Sequence, residues 1–132
     1  MNIVIDSNVY ISAFATHGIC HLLLENCIVN HRIFISEFII REVKEKLTRK
    51  IKLPVDTVNE IIDYLRCQAV LAIPLEKVAG ISRDPDDDNI IALAVTVKAD
   101  YVVSGDKDLL DLKDYRSIPI VSPKNFSEIL RS

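Results

Sequence analysis

Short runs rich in apolar, β-branched residues alternate with longer, more polar segments along this chain of 132 residues. Each apolar run is four or five residues long and ends close to a polar or turn-forming residue. Runs of this length and composition are typical of buried strands, and continuous apolar strands are typical of a parallel sheet that is covered on both faces. The five predicted strands are residues 1–5, 32–35, 70–73, 100–104 and 118–121.

The segments between the predicted strands carry signals of helices. Ser36 is a residue type preferred at the N-cap, and Pro54, Pro85 and Pro123 suit the first turn of a helix, where the missing proline N–H is no loss. A break at residues 16–18 separates the first two helices. The predicted helices are residues 9–14, 18–29, 37–48, 56–66, 84–98, 106–112 and 123–130.

This alternation of strands and helices predicts the fold class. It indicates an α/β protein with three α/β/α layers and a mainly parallel, five-stranded sheet, in one domain over residues 1–132. In open sheets of this type, ligands bind beyond the carboxyl ends of the strands. The residues that follow the strands are therefore the first candidates for chemistry.

Composition and charge restrict the possible functions. Sixteen Lys and Arg against 19 Asp and Glu give a net charge of −3, which excludes a basic nucleic-acid-binding coat over the whole chain. Three cysteines without a CxxC motif fit a reducing compartment better than a disulfide framework. No apolar stretch approaches the ~20 residues of a membrane span. We therefore expect a cytoplasmic protein with no membrane partner.

Acidic residues follow the predicted strands. Asp6 ends the first strand, Asp106 follows the fourth, and Asp88 lies in the first turn of the helix before that strand. Glu42 lies about 60° from the apolar stripe residue Ile39 on a helical wheel, so it can reach the same sheet edge. Converging carboxylates repel one another unless a cation lies between them, and such oxygen ligands suit Mg²⁺ or Mn²⁺.

Each acid also has a purely structural interpretation. Asp84 is a suitable N-cap, and Asp86 and Asp87 complement the dipole of the helix that follows. Asp6 and Asp106 can cap the helices that follow them, and Glu42 has a surface ion-pair partner four residues later. Capping explains each acid singly, but it does not explain why they converge on one edge.

A cluster of basic residues lies beside Glu42 in the sequence, over residues 41–52. It can either contact the phosphates of a nucleic acid or form a solvated helix face. Its members are Arg41, Lys44, Lys46, Arg49, Lys50 and Lys52.

In the order and spacing of these motifs the chain resembles the PIN domain, a family of metal-dependent nucleases, and especially the VapC-like toxins of toxin–antitoxin pairs. The resemblance rests on residues 3–8, Ser36 with Glu42, residues 88–94 and residues 102–109. The separation of 18 residues between Asp88 and Asp106 matches the helix and strand that the family places between its last two acids. The resemblance therefore implies a PIN-like fold.

The resemblance also implies site residues and partners. Asp6, Glu42, Asp88 and Asp106 would be the catalytic acids and the ligands of Mg²⁺ or Mn²⁺. The activity would be cleavage of single-stranded RNA, with an antitoxin protein as partner and a homodimer as the assembly. The alternatives are a housekeeping RNA-processing nuclease, or a non-catalytic PIN-like module that binds RNA or protein. The supporting residues are Asn8, Ser104, Asp84, Asp87 and Asp108, and the RNA-binding residues are Arg41, Lys44, Arg49 and Lys50.

The run of acids leaves two ligand positions open. Asp84 or Asp87 can replace Asp88 as the third acid, because all three lie within five residues. Asp108 can likewise replace Asp106 as the fourth. The sequence is compatible with one or two metal ions.

Overall fold

A single six-stranded sheet organises the fold in a computed structural model, which describes residues 1–75 and 85–132. The strand order is β3-β2-β1-β4-β6-β5, with all neighbours parallel except the antiparallel pair β5 and β6. Helices cover the sheet in a three-layer α/β/α arrangement, which confirms the predicted fold class. The strands are β1 (Asn2–Ile5), β2 (Arg32–Ile35), β3 (Val70–Leu71), β4 (Tyr101–Val103), β5 (Asp114–Tyr115) and β6 (Ile118–Val121).

Seven helices are present in the described residues, close to the predicted positions. Ser36 caps the third helix by accepting a hydrogen bond from the Ile39 N–H at 3.3 Å. None of these helices combines the length and apolarity needed to cross a bilayer. The helices are α1 (Ser7–Ala15), α2 (Ile19–Asn30), α3 (Glu37–Arg49), α4 (Val55–Gln68), α5 (Pro85–Val97), α6 (Lys107–Leu110) and α7 (Pro123–Arg131).

Strand β1 lies near the middle of the sheet and fixes the edge at which the acids meet. Its last three residues are wholly buried, as expected for an apolar strand between two layers of helices. Ile5 pairs with Val103 of β4, and the Asp6 N–H donates to the Val103 carbonyl at 2.9 Å. The residues after β1 and β4 are therefore neighbours at one edge of the sheet.

The predicted count of five strands is wrong by one, because β5 forms a short hairpin with β6. Arg116 and Ser117 make the turn with positive φ angles of 48° and 67°. Hairpin turns of this kind usually carry Asn or Gly, which signal the positive φ in a sequence. The hairpin has neither residue at these positions, so the pattern gave no warning of it.

Several predicted elements are shorter than expected, with the largest differences in β3, β4 and α6. Strand β3 contains two residues and is exposed, whereas residues 70–73 were predicted. Helix α6 ends at Leu110 rather than at residue 112, since the following residues turn into the β5–β6 hairpin. These differences lie at element ends and leave the acidic edge unchanged.

Candidate metal centre

The Ser104 hydroxyl connects the acids that follow β1 and β4. It donates to Asp6 Oδ2 at 2.8 Å and accepts from the Asp106 N–H at 2.9 Å. Ser104 is fully buried, and only 4% of the Asp6 surface is exposed. This small network fixes the orientation of the Asp6 carboxylate and the start of the loop that carries Asp106.

A second hydroxyl connects Asp6 with Glu42 of α3. Ser7 Oγ lies 3.1 Å from Glu42 Oε1 and 3.4 Å from Asp6 Oδ1. Glu42 can reach this position because the buried stripe of α3, which includes Ile39 and Val43, packs toward the sheet and leaves Glu42 on its border. The predicted approach of Glu42 to the sheet edge is therefore seen in the structure.

Three further carboxylates lie close enough to share one ion. Asp87, Asp106 and Asp108 each offer an oxygen, and these oxygens lie within 4.8 Å of one another. Asp87 and Asp88 are both buried, at 5% and 7% exposure, whereas Asp86 is exposed. The group contains Asp87 and Asp108, which the sequence left open as alternatives to Asp88 and Asp106.

The predicted ligand set remains a prediction. The structure joins Asp6 to Glu42 through Ser7 and to Asp106 through Ser104. Asp88 is buried in the first turn of α5, but it is not a member of the three-carboxylate group. Asp84 lies outside the described residues.

Charge and burial change the acidity of two of these groups. Burial is the main cause that raises the pKa of Asp6, and the negative charge of Asp106 raises it further, while hydrogen bonds from the Ser104 hydroxyl and the Ser7 backbone N–H oppose the rise. Burial also raises the pKa of Glu42, with Ser7 and Lys46 opposing the rise. Carboxyls in such surroundings gain most from a nearby cation, because the cation offsets both desolvation and mutual repulsion.

The capping interpretation holds for one acid and fails for another. Asp106 Oδ1 accepts from the Asp108 N–H at 3.0 Å, so Asp106 does cap α6. Asp6 lies at the N-cap of α1, yet its side chain makes no capping hydrogen bond. Burial of Asp6 therefore serves the network with Ser104 and Ser7 and not the end of the helix.

The surface ion-pair interpretation of Glu42 is not supported. Glu42 accepts from Ser7, while Lys46 donates to Asn8 Oδ1 at 3.2 Å. The parallel expectation one turn away is met, since Arg49 pairs with Glu45 at 3.4 Å. Sequence reasoning thus missed the position of Lys46, because its spacing from Glu42 also fits an ordinary surface pair.

The predicted RNA-binding residues lie on α3 and at its end. Arg41, Lys44, Arg49 and Lys50 are all exposed. At 100° per residue, Arg49 lies within about 20° of Glu42 around the helix, and Lys50 within about 80°. Lys44 lies about 160° from Glu42 on the opposite flank of α3.

A three-layer α/β/α fold with carboxylates at one edge of its sheet is the arrangement expected of a PIN-like domain. The comparison with known families agrees. Residues 2–108 match the model of the PIN domain family. The chain belongs to the PIN domain family.

The chain is also similar to individual known proteins in sequence or in fold. An uncharacterised protein of Methanocaldococcus jannaschii is 29% identical, over 97% of this chain and 90% of that protein. A chain of VapBC2 from Rickettsia felis, whose structure is bound to a promoter DNA fragment, has a similar fold with a TM-score of 0.69, 13% identity, and coverage of 92% of this chain and 98% of that one. VapC20 of Mycobacterium tuberculosis, a toxin that cleaves the sarcin–ricin loop, has a TM-score of 0.57, 12% identity, and coverage of 89% and 98%.

Proposed function

We propose that this protein is a metal-dependent endoribonuclease that cleaves single-stranded RNA as the toxin of a toxin–antitoxin pair. The observation that supports the proposal most is the convergence of carboxylates on one edge of the sheet, where Asp87, Asp106 and Asp108 lie within 4.8 Å of one another beside buried Asp6. Membership of the PIN family and the fold shared with VapC20 support it further.

The donor set fits Mg²⁺ or Mn²⁺. These ions prefer carboxylate oxygens, and three such oxygens are already close together. The residues that would hold the ion are Asp106, Asp108 and either Asp87 or Asp88. Asp6 lies at the border of the site, and Glu42 is connected to it through Ser7. A divalent ion held there would supply activation of a water molecule and neutralisation of charge at a phosphodiester.

The residues of the chain have their own tasks in such a reaction. Ser104 and Ser7 hold Asp6 in one orientation, so that its carboxylate need not reorganise when a ligand binds. Burial raises the pKa of Asp6 and Glu42 in the absence of metal, so both carboxylates gain from a cation that offsets their desolvation and mutual repulsion.

The exposed basic residues of α3 would hold the RNA backbone. Because the chain has a net charge of −3, a local basic surface is needed to bring phosphates to an acidic site. We propose Arg41, Lys44, Arg49 and Lys50 for this role, with Arg49 and Lys50 nearest the acidic site and Lys44 contacting the backbone farther away, on the opposite flank of α3. Charge reversal of Lys44, Arg49 and Lys50 to Glu should flatten the salt dependence of RNA binding, and an unchanged slope would assign these residues to solvation alone.

Cleavage of an unstructured RNA tests the activity. Purified protein should cut it with Mg²⁺ or Mn²⁺ and lose the activity in EDTA, and the Asp106→Asn variant is the matched control for a contaminating ribonuclease. Cleavage that persists in EDTA, or that no divalent ion supports, would contradict the proposal. RNA binding without cleavage would favour a non-catalytic module.

The toxin role and the assembly need separate tests. We propose an antitoxin protein as partner, by similarity to the VapBC2 complex, and a homodimer as the active assembly, which the resemblance to VapC-like toxins implies. Induced expression should stop growth, and co-expression of the neighbouring small open reading frame should restore it. Growth that continues with an active nuclease would favour a housekeeping RNA-processing enzyme. Light scattering of the purified chain measures its oligomeric state.

A further inference from the structure

Lys46 lies beside the acidic edge, one helical turn after Glu42. Its side chain is half-buried, unlike those of the exposed basic residues of α3. Its ammonium donates to Asn8 Oδ1 at 3.2 Å, and Asn8 lies only two residues after Asp6. Lys46 therefore has a defined position at the border of the site.

The charge of Lys46 acts on two of the acids without being paired to either. It opposes the rise in the pKa of both Asp6 and Glu42. Within residues 1–75 and 85–132, however, Lys46 hydrogen-bonds to the neutral amide of Asn8 and forms no ion pair with a carboxylate. An ammonium has three N–H donors, and Asn8 accepts one. Its positive charge is thus available to a ligand that enters the site.

The helical phase connects Lys46 to the basic residues that could carry RNA. Lys46 lies about 40° from Glu42 around α3, between the directions of Arg49 and Lys50. On a helical wheel, these three cations lie on the same flank of α3 as Glu42. A phosphate backbone that follows this flank would reach the acidic edge at Lys46.

We propose that Lys46 is a substrate-binding residue whose ammonium holds a non-bridging phosphate oxygen of the RNA at the border of the metal centre. The inference rests on the proposed ribonuclease function. It assigns to Asn8 the task of positioning the ammonium, through the hydrogen bond to its side-chain oxygen. In this role Lys46 contacts the substrate, whereas a simple counter-ion would only stabilise the acids of the metal-free protein.

The proposal predicts opposite effects on RNA and on metal when the charge is removed. The Lys46→Gln variant should bind RNA about 10- to 150-fold more weakly, since a hydrogen bond to a charged group is worth about 1.5–3 kcal/mol and 1.4 kcal/mol is tenfold. The same variant should bind a divalent ion more tightly, because a positive charge that repels the ion has been removed. A purely structural role of Lys46 does not produce this pair of opposite effects.

Two measurements test the prediction without requiring catalysis. Fluorescence anisotropy follows the binding of a labelled single-stranded RNA to Asp106→Asn protein, with and without Lys46→Gln. The slope of log affinity against log salt should become shallower by about 0.7, the value for one phosphate on a single strand. Melting curves with increasing Mn²⁺, in protein with intact Asp106, report the affinity for metal.

Control variants separate charge from position. Lys46→Arg keeps the charge and should retain most RNA binding. Lys98→Gln removes an exposed charge just before β4, at the opposite edge of the sheet, and should change neither the affinity nor the slope.

Three results would overturn the proposal. They are unchanged RNA affinity in Lys46→Gln, an unchanged salt slope, or a weaker response to Mn²⁺, which would mean that Lys46 supports the metal site. If no divalent ion supports cleavage but RNA binding and its salt slope behave as expected, the proposed nuclease function fails while the phosphate contact stands.

Discussion

Ser104→Ala removes the hydroxyl that joins the two acids at the centre of the sheet edge. Ser104 Oγ donates to Asp6 Oδ2 and accepts from the Asp106 N–H, and its side chain is fully buried. Alanine fits the same space, but it leaves a buried carboxylate oxygen without this donor and a backbone N–H without this acceptor. We therefore expect a loss of stability together with a weaker response to metal.

The size of the stability loss follows from the burial of these groups. Leaving a buried polar group unsatisfied costs about 1–3 kcal/mol. An unfolding entropy of about 2.1 cal/mol/K per residue gives about 0.28 kcal/mol/K for the 132 residues, so a loss of about 2 kcal/mol lowers Tm by about 7 °C. The pKa of Asp6 should rise further, because the Ser104 hydrogen bond is the largest cause that lowers it.

The metal response distinguishes a positioning role from a simple loss of stability. Loss of a group that orients a metal ligand typically lowers metal affinity or activity by about 10–100-fold. Thermal melts of wild type and Ser104→Ala in EDTA give the stability loss, and melts with increasing Mn²⁺ give the metal response.

Ser122→Ala is the control for the loss of a serine hydroxyl. It removes the N-cap of α7, where the side chain accepts from the Asn125 N–H at 3.1 Å, so it should cost about 1 kcal/mol and keep the full response to Mn²⁺. An unchanged Tm of Ser104→Ala in EDTA would refute the hydrogen-bond argument. A normal Mn²⁺ response in a destabilised Ser104→Ala protein would refute the positioning role.

Three further predictions concern the acids themselves. Asp106→Asn should melt at or above wild type in EDTA, because Asn also caps a helix and the repulsion of Asp6 is removed, but Mn²⁺ should raise its Tm less and RNA cleavage should be lost; an equal Mn²⁺ response would make Asp106 only a cap. Asp87→Asn should reduce the Mn²⁺ response in melting curves more than Asp88→Asn, since Asp87 belongs to the three-carboxylate group, and the reverse order would restore Asp88 as the ligand. The raised pKa of Asp6 means that the folded protein binds its proton at a higher pH than the unfolded chain, so metal-free wild type should lose stability relative to Asp6→Asn as pH rises from the ordinary carboxyl pKa through the folded pKa; melts of both proteins in EDTA over that range check the sign, and a constant difference would contradict it.

The sequence was sufficient for the fold because its strongest signals were independent and agreed. Apolar strands such as β1, the Ser36 cap and the proline at the start of α7 each fix an element locally. Their alternation leaves few arrangements other than a parallel sheet between helices. The β5–β6 hairpin was not predicted, because Arg116 and Ser117 adopt positive φ angles although neither is the Asn or Gly that usually marks such a turn.

Lys46 shows the limit of spacing arguments at the site. Its position four residues after Glu42 indicates a surface pair, and that spacing is met by Glu45 and Arg49 in the same helix. Whether Lys46 pairs with Glu42 or hydrogen-bonds elsewhere depends on Asn8, which lies 38 positions away in sequence. Only the packing of α1 against α3 brings Asn8 and Lys46 together.

The choice between Asp87 and Asp88 as the third acid shows the same limit, because neighbouring residues on one helix differ in direction by about 100°. Capping, the helix dipole and metal binding all favour carboxylates in the first turn of α5, so residue type cannot separate Asp87 from Asp88. Both are buried, and burial does not separate them either.

What distinguishes Asp87 from Asp88 is the rotation of α5 relative to β4 and the loop after it, where Asp106 and Asp108 lie. That rotation is set by which apolar residues of the helix face the sheet, and Ile90, Ile91 and Leu93 are all buried. When a helix is apolar on several sides, its sequence does not predict which side faces the sheet. The identity of a metal ligand here is therefore a property of how the core packs, and a substitution that rotates α5 should change the ligand set without altering a single acid.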